Sequence, residues 1–489
     1  MPGRQPRPRT NPDSTKKTVR LVEALAITGP KPGSRHSRRP TVLSTTWKSS
    51  TSSIAGTLSA VSRGRIPTAV GTSLELDIGS NGSRSHVAQG LVEEDPIARP
   101  VALPGGAGVL HRDALRVGFL ARRDPEDPRS WSGTYAYMVR ALRREGLELV
   151  VLPWWPARRN PRDLVERALR PPGKVGHDWV MSRRHARAVQ RVLRSSRVDV
   201  ILAVAASTQS ARLRTRTPLV TLTDATFRSV VDLYPAFSGL SGDAQRQGAL
   251  IDSTSVQASR HVIYPSEWAA RAAVRDCGAD TARLRVIPFG PNLTPPHRVR
   301  HERNETPTVV FVGMDWQRKG GDAAASAVRL LRSRGLSVRF VCVGAAVPSH
   351  WSPEVDEHVQ VDKATPDGER ALAAIYESAD ALILPSTADC SPIVLSEAAA
   401  FGLPAVTSDV GGIPELVRDG ATGRVLAADA HPSAWADALE WVLEPARYAS
   451  LSKAARSDHE RVLNWEKWGR EVHGVLRETL EGPATGKTW

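Results

Sequence analysis

The chain has 489 residues and 41% hydrophobic content, enough for two or three domains with real cores, so it is not a small stapled scaffold. Its three cysteines, Cys277, Cys342 and Cys390, are scattered and odd in number, which excludes a disulfide framework and offers no metal-ligand spacing. A formal net charge of +15 would ordinarily point to nucleic acid or anionic lipid, but residues 1–65 hold 13 Lys or Arg against two acids, leaving the rest nearly balanced.

In chain order, residues 1–112 are basic, Pro-rich and Ser/Thr-rich without sustained period, which predicts a disordered tail. Its Arg/Ser-rich, acid-poor opening has the character of a transit peptide or a nucleic-acid arm. A bland solvated extension, or a start codon placed too far upstream, is the preferred reading, and a nucleic-acid partner is not expected. There is no apolar run of about 18 residues, so no transmembrane helix is expected and the location is read as cytoplasmic.

Ordered patterning begins with the apolar run LRVGFLA at 115–121, followed by a polar loop and the helical stretch TYAYMVRALRREG. LELVVLPWW, VDVILAVAA, PLVTLT, HVIYPS and RVIPFG read as further buried strands, separated by helical segments such as 179–196 and 266–276. The Pro-rich connection FGPNLTPPHRVRHERNETP closes a first domain, 113–295. TVVFVG at 308–313 opens a second, 306–460, which continues through SVRFVCVG, HVQV, DALILPS, LPAVTS and GRVL. A helical pattern at 464–480, within the closing segment 461–489, is compatible with packing on either half. The alternation predicts α/β architecture: two facing doubly wound, Rossmann-like domains, each a parallel sheet covered on both faces, with a cleft between them. Neither half opens with G-x-G-x-x-G and no P-loop lysine motif occurs, which argues against a dinucleotide oxidoreductase and an ATPase.

Two stretches carry the chemistry. In GMDWQRKGGD, 313–322, Arg318 and Lys319 leave a strand end ahead of Gly320, Gly321 and an expected N-cap, Asp322; fixed cations beside a helix start suit a diphosphate. In ADCSPIVLSEAAAFGLPAVTSDVGGIPELV, 388–417, Asp389 sits in the loop after a strand and Glu397 inside the following helix, which starts near Pro392 and ends at Gly402. Vicinal sugar hydroxyls match carboxylates, so Asp389 with the amides of Cys390 and Ser391 is read as meeting a donor sugar, and Glu397 as taking a ribose. Taken singly, each has a plainer reading: a solvated Arg-Lys turn, a loop solvator and a surface helix acid. The shared strand context and the glycine turns favour one nucleotide-sugar site.

These stretches resemble the donor-binding half of glycosyltransferase family 4 (group 1). The likeness rests on FVGMDWQRKGG, on DCSPIVLSE in place of the usual E-x7-E, and on the AAAFGLPAVTSDVGGIPELV that follows. Residues 114–290 match more loosely, through WSGTYAYMVRAL, YPSEW and RLRVIPFG. The resemblance implies the GT-B fold and retaining transfer of sugar from a nucleotide sugar, which is a substrate and not a cofactor; no metal is expected, because Arg318 and Lys319 can neutralise the leaving diphosphate and the sequence offers no obvious acidic metal cluster. The resemblance also implies that Arg318 and Lys319 bind the donor diphosphate, Asp389 and nearby amides the sugar, and Glu397 the ribose. Gly133, in the first loop of the amino-terminal half, would approach the diphosphate from across the cleft. Where many relatives have a histidine before an aspartate on the acceptor side, this chain has Thr223-Asp224, so Asp224 is a weak candidate for acceptor contact.

The partners expected are a nucleotide sugar and a glycan or lipid-linked acceptor. The segment 179–196 stacks Arg183, Arg187, Arg191 and Arg194 on one stripe, either a solvated face or a peripheral contact with anionic membrane. Two rival functions share the pattern: a nucleotide-sugar isomerase or epimerase of the same fold, and a non-catalytic nucleotide-sugar-binding protein.

Overall fold

Short apolar runs bounded by Gly, Pro and Asp become parallel strands throughout the computed structural model, which describes residues 114–169 and 176–481. The expected tail, residues 1–112, lies outside the described residues. In the first half β1 (Arg116–Ala121), β2 (Glu148–Val151), β3 (Val200–Val204), β4 (Leu219–Leu222), β5 (His261–Tyr264) and β6 (Leu284–Val286) form one sheet, ordered β2-β1-β3-β4-β5-β6. In the second, β7 (Thr308–Gly313), β8 (Arg339–Gly344), β9 (Glu357–Val359), β10 (Ala381–Leu384), β11 (Ala405–Ser408) and β12 (Gly423–Leu426) are ordered β12-β11-β10-β7-β8-β9. Neighbouring strands run parallel, with Val117 of β1 opposite Val200 of β3 and Ala381 of β10 opposite Val309 of β7.

Helices cover both faces of each sheet, which explains why the central strands read as continuous apolar runs rather than as alternation. In β7, Val309 and Phe311 pack under the helices Gly321–Ser333 and Pro432–Val442, while Val310 and Val312 face the opposite layer with Tyr376, Leu395 and Phe401. Each such buried side chain contributes about 1.5–3 kcal/mol relative to exposure. Strand order reverses between β1 and β3 in one sheet and between β7 and β10 in the other; these are the crevices where open α/β sheets bind ligands.

The carboxyl-terminal helix Trp465–Glu481, left unassigned by sequence, crosses back to the first half. Trp465, Trp468, Val472 and Leu476 join the core around Phe119, Tyr135 and Leu142, and the Trp465 indole donates to the Pro291 carbonyl at 2.7 Å. Other contacts also join the halves. The Glu415 carboxylate accepts the amides of Glu267 and Trp268 (2.6 and 2.8 Å) at the start of the helix Glu267–Cys277, where a negative charge complements the helix dipole. Arg129 pairs with Asp362 at 2.8 Å, and the Tyr137 hydroxyl donates to Glu369 at 3.1 Å.

The arginine stripe of the helix Trp179–Ser195 is not a free cationic face. Arg183 and Arg187 turn onto buried Asp163 of the neighbouring helix Pro161–Leu169, at 2.8 and 2.6 Å, so two of the four cations expected to face a membrane are instead engaged inward.

Candidate functional site

The loops after β7 and β10 meet at the switch point of the second sheet, and two glycines make the meeting possible. Gly320 has φ +80°, and a Cβ there would stand 1.9 Å from the Pro385 carbonyl oxygen at the end of β10. Gly411 has φ +58°, and its Cβ would stand 1.8 Å from the Asp389 carbonyl oxygen. Only a residue without a side chain lets these backbones approach so closely. The Gly412 amide then donates to the Cys390 carbonyl at 3.1 Å, and the Thr387 amide to the Arg318 carbonyl at 2.9 Å, which locks the loops together.

This closure gathers Arg318, Lys319 and Asp389. Lys319, a buried residue, donates its ammonium to the Asp389 carboxylate. Arg318 lies 3.5 Å from the same carboxylate oxygen and donates to the Ala388 carbonyl at 2.9 Å. The Arg318 amide donates to the Asp315 carboxylate at 3.1 Å. The helix Gly321–Ser333 is capped by Gly320 rather than by Asp322, which lies in its first turn. Asp322 instead accepts the indole N–H groups of Trp316 and Trp351 at 2.8 and 2.6 Å; those two buried donors outcompete the helix amides for its carboxylate.

Glu397 has a different setting from the one expected. It is fully buried in the helix Ile393–Ala400, with one oxygen accepting from the Lys363 ammonium at 2.6 Å and the other from the Tyr376 hydroxyl at 3.0 Å. A fully buried carboxylate needs such donors. Ribose contact therefore requires Lys363, whose side chain is 28% exposed, to give way. Ser391 lies partly exposed beside buried Cys390 at the lip of the loop.

Sequence reasoning missed Tyr234, which comes from the first half. Its hydroxyl accepts the Cys390 amide at 3.1 Å and lies 3.3 Å from the Cys390 thiol, while the Arg318 guanidinium sits over its ring at 5.1 Å. It thus occupies the amide read as a sugar contact. Its motif, DLYPAF, has no feature that would single it out. Asp224 stands near Asp389: burial raises its carboxyl to about 6, with the Asp389 charge adding to the rise and its own amide opposing it.

Across the cleft, Gly133 (φ +89°) ends a run of three left-handed residues with Trp131 (φ 50°) and Ser132 (φ 56°), directly before the helix Thr134–Arg144. Left-handed non-glycine residues cost about 1–2 kcal/mol each. Buried Asn292 holds the turn by donating to the Ser132 carbonyl and the Thr134 hydroxyl at 3.0 and 2.9 Å. The Thr134 amide closes the turn by donating to the Trp131 carbonyl.

At the switch point of the first sheet lies a cavity of about 250 Å³, lined by Arg122, Trp154, His177, His185, Thr208 and Gln209 among others, with no carboxylate among the described residues of its wall. His185 is 6% exposed, its Nδ1 makes no hydrogen bond, and burial with Arg184 nearby lowers its pKa to about 4, so it is neutral near pH 7. Among the described residues no group of three or more His, Cys, Asp or Glu is arranged to hold a metal ion.

Comparison with known proteins adds to this geometry. Residues 306–445 match a family described as glycosyl transferases group 1, and residues 134–294 one described as Glycosyltransferase Family 4. The chain is 34% identical over 211 residues to a D-inositol 3-phosphate glycosyltransferase of Actinosynnema mirum, covering 39% of this chain and 50% of that protein. It is 30% identical over 271 residues to one of Acidothermus cellulolyticus, covering 50% and 60%. The match to the first of these spans about half that relative's length. Among solved structures, sucrose-phosphate synthase from Thermosynechococcus elongatus superposes with a TM-score of 0.55 at 17% identity, over 74% of this chain and 98% of that one. A glycosyltransferase from Rickettsia africae superposes with a TM-score of 0.52 at 11% identity, over 76% and 100%. These two likenesses establish the two-domain GT-B fold.

Proposed function

Because this chain belongs to the group 1, family 4 glycosyltransferases, we propose that it moves a sugar from a nucleoside-diphosphate sugar to an acceptor hydroxyl, with retention of configuration and without a metal ion. The observation that carries this reading is the convergence of Arg318, Lys319 and Asp389 at one switch point, between loops that glycines allow to touch. In this scheme the diphosphate takes over the N–H donors of Arg318 and Lys319, and the turn ending at Gly133 faces it from the other half. Asp389 keeps Lys319 oriented and, with the Cys390 and Ser391 amides, meets the donor sugar. Glu397 holds the ribose once Lys363 moves aside.

The bond between the anomeric carbon and the diphosphate oxygen breaks, and the acceptor oxygen forms the new glycosidic bond on the same face. The acceptor's proton passes to the departing diphosphate, whose gathering charge falls on Arg318 and Lys319. Stabilising charge that develops only in the transition state is what raises the chemical rate. We assign the acceptor's phosphorylated end to the cavity of the first sheet and its reacting hydroxyl to the neighbourhood of Asp224 and Asp389. Arg122 and neutral His185 are donors for a phosphorylated polyol, while the Thr208 hydroxyl, which donates to the Gly176 carbonyl at 2.9 Å, is left as an acceptor for a polyol hydroxyl; the D-inositol 3-phosphate glycosyltransferases among the relatives are in keeping with this.

Product assayed with nucleotide sugar and phosphorylated polyols, in the presence of a chelator, tests the scheme. Acceptor-dependent product that persists in chelator supports it; product from donor alone indicates isomerisation, and donor binding without any turnover indicates a binding protein.

Two single substitutions probe the assignment further. Tyr234→Phe removes a hydroxyl that competes with the sugar for the Cys390 amide, so the donor KM falls about two- to tenfold with kcat little changed. A rise in KM would show that the phenol belongs to the sugar's own pocket. Asp224 supplies a pH signature. Its folded pKa of about 6 lies above the unfolded value of 3.8, so the native state binds its proton more tightly and loses stability as pH rises from 3.8 to 6. If the ionised form contacts the acceptor, kcat/KM declines below about pH 6. Asp224→Asn then flattens that limb, lowers activity at pH 8 and raises the unfolding temperature there; an unchanged pH profile would remove Asp224 from the site.

A further inference from the structure

The helix Pro161–Leu169 packs the wrong way round for a surface helix. Its charged side is turned inward: Asp163 accepts from Arg183 and Arg187, Glu166 from Arg212 and Arg183 at 2.8 and 3.0 Å, and Arg167 grips Asp178 at 2.6 and 3.0 Å. Burial alone would raise the Asp163 carboxyl, but Arg187, the Asn160 amide and Arg183 together hold it well below the usual carboxylate range. The apolar side is left to solvent, with Leu164 61%, Val165 62% and Leu169 79% exposed. An amphipathic helix in a water-soluble domain ordinarily does the reverse.

The surroundings identify what this face fits. Arg159 and Arg162 are exposed at the head of the helix, and Trp155, 40% exposed, stands just before it. The helix's own carboxylates are consumed by arginines, so the outward face combines aliphatic side chains, an indole and positive charge. A second copy of this chain would bring like charges together, which is costly. Leucines that enter a lipid interface, flanked by arginines that meet anionic head groups, satisfy both halves of the pattern.

We infer that the outward face of the helix Pro161–Leu169, with Trp155, Arg159 and Arg162, docks this half of the protein on an anionic lipid surface. Trp154 and Pro156, on either side of Trp155, line the cavity of the first sheet, so docking sets that cavity beside the head groups. The acceptor in that cavity is the part that rests on the proposed transfer reaction; the docking itself does not.

The test is co-sedimentation of the full chain with equimolar phosphatidylcholine and phosphatidylglycerol vesicles, against phosphatidylcholine alone, at low and high salt. The wild type partitions to the anionic vesicles and is partly released by salt. The pair Leu164→Glu and Leu169→Glu lowers partitioning by about tenfold or more, and so does the pair Arg159→Glu and Arg162→Glu. Neither pair changes the unfolding temperature in solution or turnover of a soluble acceptor. Equal partitioning to both vesicle types, or wild-type partitioning by the leucine pair, overturns the proposal. So does a concentration-dependent dimer that the leucine pair dissociates while vesicle binding is unaffected, since the face then joins two copies. Absence of any transferase activity would leave the vesicle result readable and would count only against the proposed reaction.

Discussion

Arg318→Ala combined with Lys319→Ala is expected to abolish turnover in a folded protein. Losing a single donor that stabilises developing charge costs about a hundred- to a thousandfold, so losing both costs about ten-thousandfold or more. Lys319 needs a control, because its ammonium is the nearest partner of an Asp389 carboxylate that is only 10% exposed. Removing one member of a buried pair typically destabilises by about 3–5 kcal/mol, and that could masquerade as a catalytic defect. Lys319→Ala with Asp389→Asn removes the stranded charge. This second variant recovers much of the unfolding temperature and none of the activity. Near-normal turnover by the folded Arg318/Lys319 double variant, or activity that returns together with stability in the second, would detach these residues from the chemistry.

The second large effect lies in the backbone. Gly320→Ala forces a Cβ to within 1.9 Å of the Pro385 carbonyl oxygen at a position where φ is +80°. The left-handed conformation costs about 1–2 kcal/mol and the overpacking about 1–3 kcal/mol more. The expected loss is therefore about 2–5 kcal/mol, as judged by chemical denaturation, with activity lost because the two loops are pushed apart. Gly335 is the matched control, since its φ is +89° but a Cβ there meets nothing within 4 Å. Gly335→Ala pays only for conformation and leaves turnover intact. Equal destabilisation by the two would mean that the close approach at Gly320 contributes nothing.

Much of the architecture is written locally. Runs such as VILAV and the VVFV of β7 are apolar along their whole length because both faces of their sheets are covered, and the turns between them carry their own Gly, Pro and Asp punctuation. The glycine turn after Lys319 and the pair Gly411-Gly412 could be noticed in the sequence; the carbonyls they admit could not. DLYPAF gave no sign that Tyr234 would cross to Cys390, which lies 156 residues further on. Asp322 reads as a helix cap from its neighbours in sequence, but two tryptophans claim its carboxylate.

By itself, then, the sequence determined the alternation of strands and helices, the division into two halves, and the cationic and acidic loops at strand ends, because hydrophobic period and turn chemistry act over a few residues. Only the tertiary structure decided that Glu397 is enclosed by Lys363 and Tyr376, that the last helix returns to the first half, and that Arg183 and Arg187 face inward onto Asp163. The physical reason is common to all three. A charged or aromatic side chain can be buried only where a distant part of the chain supplies its partner, and no local pattern records which part that is.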